Sequence, residues 1–528
     1  MRKLSTVAAL LAASGALGGC GSGGSEGGGT VDWPNWGNAP QNTHYAALDQ
    51  VDRGNVSRLR VAWTRAGGPN QFAWETFPIV VGRTMYYDTG TDQVFAVDAA
   101  TGRLRWSHTP QVDFLTAAVG AYGGEPVSRG VTYGDGRIYA TTADDRLIAL
   151  GAKSGKVLWR VRVADPAIGP MNSPGAFWNG QIVVGGPAGA AGERGFVAAY
   201  DAADGQLLWR THMVPPRGRA WRRGPGQGGG DVWMPPTIDP ATGTVYASTG
   251  NPTPGFTNAG RPGCNPLADA VVALDGASGR IEWSRTLVCE DSWDYDTVQA
   301  PLLLGGSDGG AAGTVGAGSK SGFFALLDAG SGAVLARSPY LTRYSRPHRV
   351  PTRAGVVVCP GIYGGLEYGP PAYSAAERLL YVAGNEMCMR YRLAARPGAL
   401  PPGERALGGS ATQVGPATGM VAALDPASGR VRWRRPLPAP ANGGLLATAS
   451  GLVFLGEDDG WLRALDARDG SPLWRYRLGL RVGSAPIAYE VDGVEYLAIA
   501  AGGSLVQARG TAPDGPAKLF VFRLPGQP

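Results

Sequence analysis

Between Cys289 and Pro301 the chain reads CEDSWDYDTVQAP, and four carboxylates, Glu290, Asp291, Asp294 and Asp296, crowd into that one loop. Two of them frame Tyr295 directly behind Trp293. Carboxylates this close repel one another unless water, protonation or a cation relieves them. The loop therefore reads in one of two ways: a solvated turn steadied by Cys289, or a cluster that holds a hard metal ion and takes a proton from a substrate. Other chemistry-bearing stretches are bland. His44, His108, His212 and His348 are dispersed without ligand spacing, and GAKSGK has the wrong spacing for a phosphate loop. GGPAGAAG precedes no crossover helix, so it is no dinucleotide fingerprint, and RGRAWRRGPG reads as a solvated basic loop or an anion clamp.

The elements that must position the acid loop are legible in a repeat. VFAVDAATGRLRW, LIALGAKSGKVLW, VAAYDAADGQLLW, VVALDGASGRIEW, FFALLDAGSGAVLA, VAALDPASGRVRW and LRALDARDGSPLW share one skeleton. An apolar strand usually ends in Asp, a short turn closes on Gly, and a second strand usually carries Trp four residues later. The Asp side chain bonds turn amides, the glycine supplies a positive φ, and the indole docks between neighbouring sheets. The docking positions are Trp106, Trp159, Trp209, Trp283, Ala336, Trp433 and Trp474, with Trp63 of LRVAWTRAG as an eighth member. Eight positions predict an all-β, eight-bladed propeller of four-stranded sheets. The strand around Trp63 is expected to complete the last blade with SAPIAYEV, VEYLAIAAG and KLFVFRL, closing the ring and removing a free edge.

With its inserted loops, this tryptophan-docking repeat resembles the pyrroloquinoline quinone (PQQ) dependent alcohol dehydrogenase family, over essentially the whole mature chain. Local stretches carry the likeness: WETFPIVV, PVSRGV, GGGDVW, STGNPTP, SWDYD and GSKSGFFALLD. By that resemblance Glu75 stands at the family's active-site glutamate, and Arg129 at an arginine that meets a PQQ carboxylate. Trp233 stands at the tryptophan on which the quinone stacks, and Asn251 at a metal ligand. Asp294 matches the catalytic base and metal ligand, Asp296 the extra aspartate of the lanthanide-using branch, and Lys320 the cation at the quinone oxygen. These residue types suit such a cofactor, because a flat tri-anion needs an aromatic platform, cations for its carboxylates and an electrophile at one carbonyl. The implied cofactors are PQQ and calcium, with a lanthanide as the other candidate ion.

The chain also departs from the family. The usual metal-binding glutamate aligns with Ala190, with Glu193 nearby, and Gly123-Gly124 replace a vicinal disulfide. Glu367 takes an asparagine position, where it suits a quinone carboxylate only if protonated or metal-bound. Asn442 replaces a tryptophan, and a late GGW becomes Gly502-Gly503-Ser504. A non-catalytic propeller lipoprotein, similar in architecture to the outer-membrane assembly lipoprotein and serving as a binding scaffold, is the alternative these losses leave open.

Composition sets the wider bounds. The chain has 528 residues, 83 of them glycine, and a net charge of +6 spread over scattered arginines, which argues against nucleic acid as a partner. Arg2 and Lys3 precede an apolar stretch, Leu4 to Leu17, too short to remain as a membrane helix. Leu17-Gly18-Gly19-Cys20 resembles a bacterial lipoprotein cleavage box, which predicts a signal peptide over 1–19, a lipidated Cys20 with a flexible tether to 31, and the propeller over 32–528. The expected protein is thus exported, at the periplasmic or extracytoplasmic face, and touches the membrane only through its lipid. Four cysteines remain, and the out-and-back segments they flank predict Cys264 to Cys289 and Cys359 to Cys388. No CxxCH is present for covalent haem, so an alcohol or sugar dehydrogenase built this way passes electrons to a separate acceptor such as a cytochrome or a quinone.

Overall fold

A computed structural model describes residues 30–526 except 68–73, 113–126, 167, 188–192, 216–227, 306–311, 346–348, 398–405 and 504–514. The leader over 1–19, Cys20, Gly123-Gly124, Ala190, the RGRAWRRGPG loop, His348 and Ser504 lie outside the described residues.

Among the described residues the architecture is strands, turns and one short 3-10 segment, Val56–Arg58. Eight antiparallel sheets follow one another along the chain, at 79–108, 132–162, 176–212, 237–286, 302–337, 372–437, 445–477 and 487–523. We number these blades one to eight. The strand Arg60–Ala66 pairs with Lys518–Arg523, so the eighth sheet is built from both ends of the chain. A short strand, Tyr45–Ala46, adds in parallel to the seventh.

The repeat acts as a clasp between consecutive sheets. The indole N–H groups of Trp63, Trp106, Trp159, Trp209, Trp283 and Trp433 donate to carbonyls of Ala99, Ala152, Ala202, Gly276, Ala329 and Ala467, each in the next sheet's turn. Several of these carbonyls accept a second bond from a tyrosine; Ala202, for example, takes both Trp159 and Tyr139 at 3.1 Å. The turn glycine beneath each indole is needed twice over. At Gly102, φ is 71° and a Cβ would sit 2.6 Å from the Trp63 ring.

One feature of the repeat is invisible in its sequence. In all eight sheets the register slips between the outermost pair of strands, as at Ala96/Val97 and Ala149/Leu150, beside the residue that faces the docking position. Such a bulge bends and twists the outer strand. It leaves one residue unpaired just before the docking residue, and Leu158 and Leu208 there are 52% and 49% exposed. In blade five the docking residue is Ala336, and Gly429 of the next sheet packs on the Arg337 backbone instead.

Blade six departs from the others. Its strands Leu379–Leu393 and Gly409–Leu424 run far past the sheet, where Val356–Val358 pairs with the extension. Cys359–Cys388 ties that extension to the loop before it, and Cys264–Cys289 ties the insertion of blade four to the acid loop.

Candidate active site

The candidate residues stand at the ends of strands, on connections between sheets and on turns within them. Trp74–Phe77 carries Glu75 and pairs in parallel with Ser128–Gly130, which carries Arg129. Gly130, at φ 119°, lies against the Phe77 carbonyl, a fit no side chain permits. The pairing sets Glu75 and Arg129 at 2.6 Å, both almost fully buried. The Arg129 guanidinium lies 5.0 Å from the ring centroids of both Trp233 and Tyr368. Lys320 approaches the same Trp233 ring at 5.5 Å. One indole is thus flanked by two cations.

Lys320 sits on the turn after Thr314–Gly318, and its ammonium bridges Asp294 at 3.1 Å and Asp296 at 2.6 Å. Burial alone would depress this lysine, but the two aspartates and Glu367 outweigh it and hold the ammonium charged. Asp296 is pushed up by burial, offset in part by Lys320, and its other oxygen accepts the Asn251 N–H at 2.6 Å. The Asn251 side-chain amide donates to the Pro252 carbonyl at 3.2 Å. Asp294 adopts φ 69°, a left-handed conformation that aspartate tolerates better than bulkier residues but that still costs about 1–3 kcal/mol.

The four acids of the loop divide the labour. Glu290 is exposed, whereas Asp291 is buried and accepts the N–H groups of Trp293 and Tyr295 at 3.1 and 3.3 Å, shaping the turn. Burial pushes Asp291 up to about 7, with Arg261 opposing. Arg261 is itself fully buried, and burial lowers it against the pull of Asp291 and Asp269. Of the four, only Asp294 and Asp296 reach Lys320.

A cap covers this floor. Gly255 and Phe256 of the blade-four insertion donate to Ala406 and Leu407 beside the long hairpin, both at 2.8 Å. Phe256, Trp293, Tyr295, Ile362, Met387, Met389 and Tyr391 belong to one buried cluster over the acid loop. Tyr295 and Tyr391 further bond the Pro360 and Trp293 carbonyls.

Three participants carry no mark in the sequence pattern. Tyr368 stacks under Arg129, Arg261 neutralises the turn, and Asp231 brings a further carboxylate beside Asp296. GGGDVW displays Asp231 two residues before Trp233, and its acidic type is the one signal that could point to it. The Glu193 backbone carbonyl accepts the Gly229 N–H at 2.8 Å, and no side-chain contact of Glu193 with Asp294 or Lys320 is seen among the described residues. Asn442 sits in a buried amide network, accepting Asn385 at 2.6 Å and donating to both Asp458 oxygens.

The family model of the glucose/ethanol/alcohol dehydrogenase β-propeller domain matches residues 33–337. Quinohemoprotein alcohol dehydrogenase of Comamonas testosteroni is 30% identical over 94% of this chain and 77% of its own length. The chain belongs to the PQQ-dependent alcohol dehydrogenase family. Quinoprotein alcohol dehydrogenase PedH of Pseudomonas putida is 29% identical over 92% of this chain and 90% of its own. A europium-containing methanol dehydrogenase superposes with a TM-score of 0.84 at 27% identity, covering 94% of this chain and 98% of that one. The family model of outer membrane protein assembly factor BamB matches only residues 416–509.

The residues present suit the family's cofactors. Trp233 between Arg129 and Lys320 fits a flat, anionic quinone, and Glu367 offers two buried carboxyl oxygens without a hydrogen-bond partner. Asp294, Asp296 and Asn251 are the hard oxygen donors a calcium-type ion takes. Among the described residues no three acidic, histidine or cysteine side chains are gathered around one point; Lys320 stands between the two aspartates.

Proposed function

We propose that this quinoprotein oxidises the hydroxyl group of an alcohol or sugar at the cell envelope and hands the electrons to a separate acceptor, a cytochrome or a quinone. The observation that carries the reading is the Asp294–Lys320 pair, buried beside the face of Trp233. PQQ, when bound, supplies the two-electron acceptor that the side chains lack. Trp233 would hold it by stacking, Arg129 and Lys320 by charge, and Asn251, Asp294 and Asp296 would take the accompanying cation.

Asp294 accepts the proton of the substrate hydroxyl, since it is a carboxylate held in place by Lys320 at 3.1 Å. The Lys320 ammonium is never the base: its neighbours keep it protonated, so it serves as a fixed positive charge. The aromatic cap over Asp294 excludes water and selects the substrate's shape.

The envelope placement rests on the leader and on Cys20. Val31 exchanges both backbone bonds with Glu490, next to a hairpin turn whose Asp492 pairs with Arg83. Arg83 lies past the end of Ile79–Val81, the strand that follows Glu75 and leads away from it. The first described residues are thus bonded to the eighth sheet at Val31 and to the first at Trp33.

The test is a titration of metal-free protein lacking residues 1–20 with PQQ, plus calcium, lanthanum or chelator, following tryptophan fluorescence. Saturable, metal-dependent quenching that Trp233→Ala and Asp294→Ala both abolish, followed by dye reduction with alcohols or sugars, is the expected result. No saturable quenching under any condition would remove the enzyme reading and leave a binding scaffold.

A further inference from the structure

Glu75 and Arg129 meet because two short strands run side by side, as a two-stranded sheet outside the eight blades. Something must hold that small sheet in place. Side chains alternate along a strand, so Trp74 and Thr76 turn to the face opposite Glu75, as Ser128 does opposite Arg129. All three reach one residue, Asp88, which ends the strand Thr84–Asp88 of blade one. The Thr76 hydroxyl donates to Asp88 Oδ1 at 2.7 Å, and the Ser128 hydroxyl donates to Oδ2. The Trp74 indole N–H donates to the Asp88 carbonyl at 2.6 Å. One aspartate thus grips both strands.

The clamp is closed to water, since Asp88, Thr76, Trp74 and Ser128 are all buried. Burial pushes the Asp88 carboxyl up to about 6, while Ser128, Thr76 and the Gly130 N–H draw it back toward the charged form. A buried carboxylate is costly unless its hydrogen bonds are met, so neither hydroxyl leaves it without penalty. The strand positions matter one residue further on. Arg129 donates to the Trp233 carbonyl at 3.4 Å and lies over the Trp233 and Tyr368 rings, so its place on the platform follows the place of its strand.

We propose that Asp88 is a positioning residue of this chain, which ties the Glu75 and Arg129 strands to blade one and so sets the Arg129 guanidinium over Trp233, where it meets an anionic quinone. The inference rests on the quinoprotein reading. Asp88 acts through Thr76 and Ser128, the immediate neighbours of Glu75 and Arg129. A binding group serves only if its support holds it within about 0.5 Å, and this clamp is such a support.

The experiment is a PQQ titration of the full chain in calcium, following tryptophan quenching, with the thermal midpoint of each quinone-free variant measured alongside. Asp88→Ala is expected to weaken PQQ binding about tenfold, and Ser128→Ala, which frees the Arg129 strand alone, about threefold. Asp88→Asn keeps an acceptor for Thr76 and gains a donor for Ser128, so it should restore affinity to within about threefold of wild type. Trp159→Phe loosens a clasp in another blade and should leave PQQ affinity within about twofold whatever it does to the midpoint. Wild-type affinity in Asp88→Ala overturns this assignment alone, as does an Asp88→Asn variant as weak as Asp88→Ala, or an equal loss in Trp159→Phe. If Asp88→Ala does not fold, Ser128→Ala decides, and wild-type affinity there overturns the assignment. No saturable binding by the wild type overturns the quinoprotein reading and this inference together.

Discussion

Asp294 is placed by strain, charge and shape at once: a left-handed backbone, an ammonium at 3.1 Å and an aromatic roof. Asp294→Asn keeps the backbone and the roof and removes the charge. It is expected to keep PQQ-induced quenching while lowering kcat for alcohol-dependent dye reduction about 10²–10⁴-fold, the usual worth of a positioned base. Glu367 makes a pH prediction. Burial pushes its carboxyl up from 4.5 to about 8, with Lys320 opposing and the nearby acids adding to the rise. A carboxyl raised on folding contributes stability that is full below its unfolded value and is lost as pH climbs through its folded one. Urea midpoints of the metal-free, quinone-free protein should thus fall between about pH 5 and 8, and Glu367→Gln should flatten that fall. A Gln variant with the same slope as wild type would place the titration elsewhere.

At the scale of elements, the Trp clasp and the cap carry different loads. Trp159 donates its indole N–H to a carbonyl that Tyr139 also uses. Trp159→Phe keeps most of the packing and is expected to cost about 1 kcal/mol, whereas Trp159→Ala opens the contact over Gly205 and is expected to cost about 3 kcal/mol. Denaturant titration of both variants separates the two contributions. The cap hangs on Cys359–Cys388 and Cys264–Cys289, so replacing either pair with serine should raise KM for alcohols and speed proteolysis in the extension of blade six. Blade turns and docking positions are readable from sequence because each repeat must solve the same local problem with Asp, Gly and Trp. The outer-strand bulge is not, since it follows from tilting each indole toward its neighbour and uses no special residue. The split of the acid loop is hidden for a similar reason. Nothing in CEDSWDYD distinguishes Asp291, which binds its own backbone, from Asp294 and Asp296, which face Lys320. That difference is set by what blades five and six lay against the loop.

Across the whole molecule, the paired terminal strands make the eighth sheet a single structural commitment. A chain ending at Gly515 loses Lys518–Arg523 and leaves Arg60–Ala66 without its partner. Limited proteolysis and near-ultraviolet dichroism should show loss of the compact fold; a resistant core with an unchanged unfolding curve would contradict this. The same pairing has a temporal side. The strand bearing Trp63 is made more than 450 residues before its partner, so at about 5–20 residues per second it waits on the order of a minute during synthesis. Throughout that interval the eighth sheet remains incomplete. A sheet whose two partner strands are made so far apart in time stays unlocked while most of the intervening blades are already synthesised.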